Sequence, residues 1–295
     1  MFKSFKIVDD FIKDIYGCPL LGERMHPKIK ATKIAELKNA CNPMMDITSA
    51  RRKPSPVEFM RHVYPLLEIA VHWSALKQEG KLTEDFCKHA VDGMQHIDNF
   101  YGTIFELDMA SRCLLSGWPI RFVEYPKPKK GKQIDFIFFK KEKAVGVECL
   151  SKRFTAILTL KKIQGGIDDH AKKFRPEHIA KLGLVLDERV VVMDITRSDY
   201  HSPNKLLANL GKARVPNDLD AVVFTWREDQ FEGDNHSLRA KYQTVGDAAQ
   251  GYFSTTYAAE FLGGAFFMRK YVEPEPAWGA WGPEENVEDY NQKNQ

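Results

Sequence analysis

Paired cysteines are missing from this chain. Cys18, Cys41, Cys87, Cys113 and Cys149 stand apart, with no CxxC among them. That excludes a disulfide framework and a structural zinc ribbon, and it points to a reducing, cytoplasmic setting. Long apolar runs are missing too: none approaches the ~18 residues a membrane span needs. The first fourteen residues are broken by Lys and Asp, unlike a signal peptide. His62, His72, His89 and His96 show no HExxH spacing, so ordinary helix positions suit them better than a zinc centre. There is no internal repeat. The net charge of +3 by itself selects no partner.

What is present is the material of a globular protein. A chain of 295 residues, 43% hydrophobic and 28% charged, can bury a sizeable core without a staple. The charge is unevenly placed. Between Arg121 and Lys162 there are twelve Lys/Arg against four Asp/Glu, while residues 273–295 hold six acids and one Lys. A basic middle suits an anionic partner, and a solvated face is the plainer reading.

Residues 1–98 read as a helical N-terminal region. Apolar residues recur at helical spacing from Val57 to Leu76, and Thr83 is placed to cap a helix over Leu82–Ile97. A helix from Thr103 to Ser116 should stop at Gly117. Strands are expected over Trp118–Tyr125, Gln133–Phe139 and Ala144–Leu150, then a helical stretch over Phe154–Phe174 weakened at Gly165-Gly166. Two strands follow, Arg189–Thr196 and Asp220–Trp226, with a loop or helix around Pro203–Leu210 between them. Asp247–Leu262 is a candidate helix. The last two strands are continuous apolar runs, as in a sheet covered on both faces. The class is α/β or α+β. The divisions are 1–98, a main domain over 99–272, and an acidic tail over 273–295 with Trp278 and Trp281, expected to be mobile.

The centre of the chain holds acids in costly places. Asp135 lies in Gln133–Phe139 and Glu148 in Ala144–Leu150, each within an apolar run. A buried ionised carboxylate needs a cation, a donor set or a shifted pKa. Two adjacent antiparallel strands could bring the two acids within a few ångströms of each other. Two hard oxygen ligands suit Mg²⁺ or Mn²⁺; the alternative is two carboxylates satisfied by backbone or basic neighbours. Glu106 shares a helix line with Ala110, Cys113 and Gly117 and can face the sheet, whereas Asp108 is expected to be exposed. Asp168, Asp169 and His170 are adjacent on a helix, point different ways, and are expected to face solvent.

A helix with Glu106, then Ile-Asp-Phe after a basic loop, then Val-Glu-Cys and a nearby lysine, resembles the PD-(D/E)XK nuclease superfamily over residues 100–228. The resemblance implies a restriction endonuclease-like αβββαβ core, with a mixed central sheet flanked by helices. It implies a divalent-metal-dependent nuclease that hydrolyses phosphodiester bonds in nucleic acid, with DNA favoured over RNA. Asp135 and Glu148 would be the ligands of Mg²⁺ or Mn²⁺, with Glu106 as supporting acid. The family places its lysine two residues after the Glu, where this chain has Leu150. Lys152 has the same strand parity and is the substitute, with Lys161, Lys162 or Lys172 as others. Lys127, Lys129, Lys130 and Lys132, on the turn leading to Asp135, are the candidate phosphate contacts. The competing implication is a nuclease-like fold whose site has decayed, acting as a nucleic-acid-binding or protein-interaction module. In both readings the N-terminal helices and the tail are candidate surfaces for a partner or a homodimer.

Overall fold

Strand pairing organises the molecule. The computed structural model describes residues 3–16, 69–95, 97–123, 133–153, 158–197, 203–232 and 235–246. Among the described residues six strands form one sheet in chain order: β1 (Ile120–Phe122), β2 (Phe136–Lys140), β3 (Lys143–Ser151), β4 (Glu188–Asp194), β5 (Ala221–Glu232) and β6 (Asn235–Val245). β1, β2 and β3 form an antiparallel meander, β3, β4 and β5 run parallel, and β6 returns antiparallel to β5. β2 and β3 are joined by Lys141 and Glu142, both at positive φ, the twist a two-residue hairpin needs. β6 is not among the strands expected from sequence.

The helices are α1 (Lys3–Tyr16), α2 (residues 69–78), α3 (Glu84–Gln95), α4 (Ile97–Leu115), α5 (Leu160–Ala171), α6 (Pro176–Lys181) and α7 (Asn204–Leu210). Thr83 caps α3 as expected, its Oγ1 accepting the Phe86 N–H at 3.2 Å. Gly117 ends α4 at φ +77°. Gly165 and Gly166 do not break α5, which is capped by Thr159 and runs on into a 3₁₀ turn, Lys172–Phe174. The candidate helix at 247–262 and the tail lie outside the described residues.

Alternation along the strands divides the core in two. Val145, Val147, Val190, Val192, Ala221 and Val223 pack with apolar residues of α1 to α4. Leu150, Val191, Met193, Val222 and Phe224 pack with Ile163, Ile167, Ala171 and Phe174 of the α5 side. The result is an α/β architecture with helices on both faces of a mixed sheet, so the central strands are apolar throughout. The described N-terminal helices share one apolar cluster with β1 to β5. Among the described residues, no helix is long and apolar enough to cross a membrane.

Candidate functional site

Register brings the two central acids together. Phe136 pairs with Val147, and one step further along this antiparallel ladder sets Asp135 opposite Glu148. The Asp135 N–H donates to the Val147 carbonyl at 3.1 Å, which extends the pairing to Asp135 itself. In return the Cys149 N–H donates to Asp135 Oδ2 at 2.7 Å. Glu148 is 1% exposed. By parity it shares the α5 face of β3 with Gly146 and Leu150.

The 3₁₀ turn and the end of α5 supply its partners. His170 Nδ1 lies 2.5 Å from Glu148 Oε1, and Lys173 Nζ donates to the same oxygen. Lys173 Nζ also stands 4.0 Å from Asp135 Oδ1, so one ammonium serves both acids. Glu148 Oε2 is buried with no hydrogen-bond partner. Gly166, His170 and Lys173 are spaced four and three residues apart along one helical face. Gly166 makes the approach close: a Cβ there would lie 2.9 Å from Leu150 Cδ2 and 3.5 Å from Lys152 Cε.

Two expectations are therefore corrected. His170 does not face solvent. Its place one turn beyond Gly166, beside the buried stripe of Ile163, Ile167, Ala171 and Phe174, turns it to the sheet. The lysine on Glu148 is Lys173 rather than Lys152, Lys161, Lys162 or Lys172. Lys172 pairs with Asp169, and Lys161 and Lys162 are exposed in the first turn of α5. Lys152 continues the ladder through its N–H to Asp194 O at 2.8 Å, and its charge is felt at His170. The signal in the sequence was Lys173 flanking an apolar helical stripe.

Glu106 is buried on α4, 3.7 Å from His89 Nε2, and its charge reaches both central acids. Burial, followed by the charges of Glu148 and Glu106, holds the Asp135 carboxyl well above the usual range. Burial lifts Glu148 to about 7 against the pull of Lys173, with Glu106 adding to the rise. Burial and then the Lys173 ammonium lower His170 to about 4, so its ring is neutral at pH 7. The Cys149 thiol is pushed well up by burial and by Asp135, which removes it as a nucleophile. Lys127, Lys129, Lys130 and Lys132 lie outside the described residues.

A second polar cluster is structural. Asp108 is 3% exposed, not solvent-facing as expected from sequence. Arg112 grips both its oxygens at 2.7 and 2.8 Å, and Arg227 Nη2 adds a bond of 3.0 Å. Burial pushes this carboxyl up, but Arg112 and Arg227 hold it well below the usual range. His72 Nε2 stands 3.1 Å from Asp108 Oδ1, and its Nδ1 meets Ser111 Oγ. The order Ser, His, Asp invites a hydrolase reading. It fails on access: Ser111 is fully buried, and Asp108 is saturated by two guanidiniums.

Among the described residues, no three His, Cys, Asp or Glu side chains form a cage for a metal ion. Asp135 and Glu148 instead offer two buried carboxylates, both raised chiefly by burial, and one oxygen of Glu148 accepts from no donor. That donor set fits Mg²⁺ or Mn²⁺, which bind through one or two carboxylates and keep several waters. Comparison with protein-family models, curated proteins and solved structures gave no match.

Proposed function

We propose that this chain is a divalent-metal-dependent nuclease of the PD-(D/E)XK kind, hydrolysing phosphodiester bonds in nucleic acid, with DNA as substrate. The observation that carries the reading is the cross-strand pair Asp135 and Glu148 with Lys173 reaching both. The order of α4, three antiparallel strands, α5 and a parallel β4 supports it. So does the placement of Glu106 within electrostatic reach of the pair.

Asp135 and Glu148 would hold Mg²⁺ or Mn²⁺. The ion, when bound, supplies charge neutralisation at the phosphate and favours ionisation of a water. Lys173 takes the role that Leu150 leaves vacant: its ammonium orients the attacking water by hydrogen bonding and balances the charge that develops. Glu106 holds negative charge at the pair and favours a cation there. The water oxygen bonds to phosphorus, the bond to the leaving ester oxygen breaks, the water's proton passes to solvent, and the leaving oxygen takes a proton from solvent to become a hydroxyl.

The test is cleavage of duplex DNA with Mg²⁺ or Mn²⁺ and its loss in chelator. D135A and E148A abolish it, and K173A lowers the rate by about 10²-fold or more. Cleavage that survives both carboxylate substitutions rejects the proposal. A second reading has its own support: Lys173 already neutralises Glu148, as a permanent counter-ion would in a decayed site acting only as a binding module. In that case calorimetry shows no Mn²⁺ binding, and DNA binding persists without cleavage.

A further inference from the structure

Two nitrogens converge on one oxygen of Glu148 while the other oxygen has no partner. His170 Nδ1 lies 2.5 Å from Oε1, Lys173 donates to that same Oε1, and Oε2 is buried without a partner. A carboxylate free to rotate would share its donors between both oxygens. This one is pinned. His170 and Lys173 differ in what they can give up. Lys173 is the end of a flexible chain that also faces Asp135. His170 sits on the last turn of α5, next to Ala171 and one turn from Ile167 of the core, and its short side chain has fewer rotatable bonds than that of Lys173.

We propose that His170 is a positioning residue: it holds Glu148 by Oε1 so that Oε2 alone is offered to a cation, and it keeps that hold when Lys173 moves to the water. The inference rests on the nuclease reading. It explains how one lysine can neutralise Glu148 in the resting site and still serve the reaction. Groups that orient a ligand from behind in this way typically change metal affinity by about 10–100-fold when removed.

The experiment is Mn²⁺ titration of the full chain by calorimetry, which needs no turnover. The wild type binds and E148Q does not. H170L weakens binding by about 10–100-fold. H170N places an amide donor where Nδ1 stands and restores wild-type binding, whereas H170Q places it where Nε2 stands and does not. Wild-type affinity in H170L, or equal affinity in H170N and H170Q, overturns the proposal. Should H170L fail to fold, the Asn–Gln comparison alone decides. Absence of Mn²⁺ binding in the wild type, or E148Q binding like the wild type, rejects the nuclease reading and this inference with it.

Discussion

Glu148 and His170 titrate in opposite senses, and that sets how the metal-free protein responds to pH. Glu148 is raised from 4.5 to about 7, so the folded chain holds a proton that the unfolded chain has released across that window. Its contribution to stability is present below about 4.5 and is lost as pH rises towards 7, a loss on the order of 3 kcal/mol. His170 is lowered from 6.5 to about 4, so the unfolded chain holds the extra proton between those values, and stability rises with pH there. The two effects oppose each other up to about pH 6.5, beyond which Glu148 acts in the same sense as Asp135 and as His89, which its hydrogen bond to Glu106 raises. Melting in chelator should therefore give a lower Tm at pH 8 than at pH 6.5. E148Q should reduce the difference, and a Tm that rises over this range would contradict the assignment. That Asp135 and Glu148 are costly was legible in the sequence, because each interrupts an apolar strand. Which cation answers them was not, because Lys173 lies 25 residues beyond Glu148 and meets it only through the packing of α5.

At the scale of elements, α5 decides the site. Its two glycines look alike in the sequence and differ in the fold. A Cβ on Gly165 would meet nothing within 4 Å, while one on Gly166 would press on Leu150 of β3. G165A should stabilise by up to about 1 kcal/mol through helix propensity, read in denaturant titration. G166V should lift α5 from β3, costing about 1–3 kcal/mol, and should displace His170 and Lys173 from Glu148. Its loss of Mn²⁺ affinity and cleavage should exceed what its stability loss explains. Equal behaviour of the two variants would mean that the close approach of α5 is not what builds the site. Gly146 on β3 belongs to the same contact, with Leu186, Phe174 and Ile134 crowding the place of a Cβ at 2.6, 3.1 and 3.2 Å. The sequence showed Gly165-Gly166 as a weak point in a helix. The weakness is a packing surface, because helix and strand approach only where a side chain is absent.

At the scale of the whole molecule, one buried clasp ties α4 to the last two strands of the sheet. Asp108 on α4 binds Arg227 on β5, and Arg112 reaches Tyr242 on β6 at 2.5 Å. Arg227 N donates to Thr196 Oγ1, which donates to Asp194, the partner of Arg153. D108A leaves two buried guanidiniums uncompensated and should cost about 3–5 kcal/mol in denaturant titration. D108N should recover part of that loss, and a cost below about 1 kcal/mol would show the clasp to be solvated. Asp108 was expected at the surface because helical periodicity gives only the direction of a side chain relative to its own helix; it cannot show that α2 and β5 cover that direction. The sequence by itself determined the α/β class, the apolar central strands and the capping of α3 by Thr83, since these follow from local period and cap chemistry. Only the tertiary structure decided that β6 closes the sheet, that Asp108 is a buried clasp, and that His170 and Lys173 face Glu148, since each depends on contacts between elements far apart in the chain.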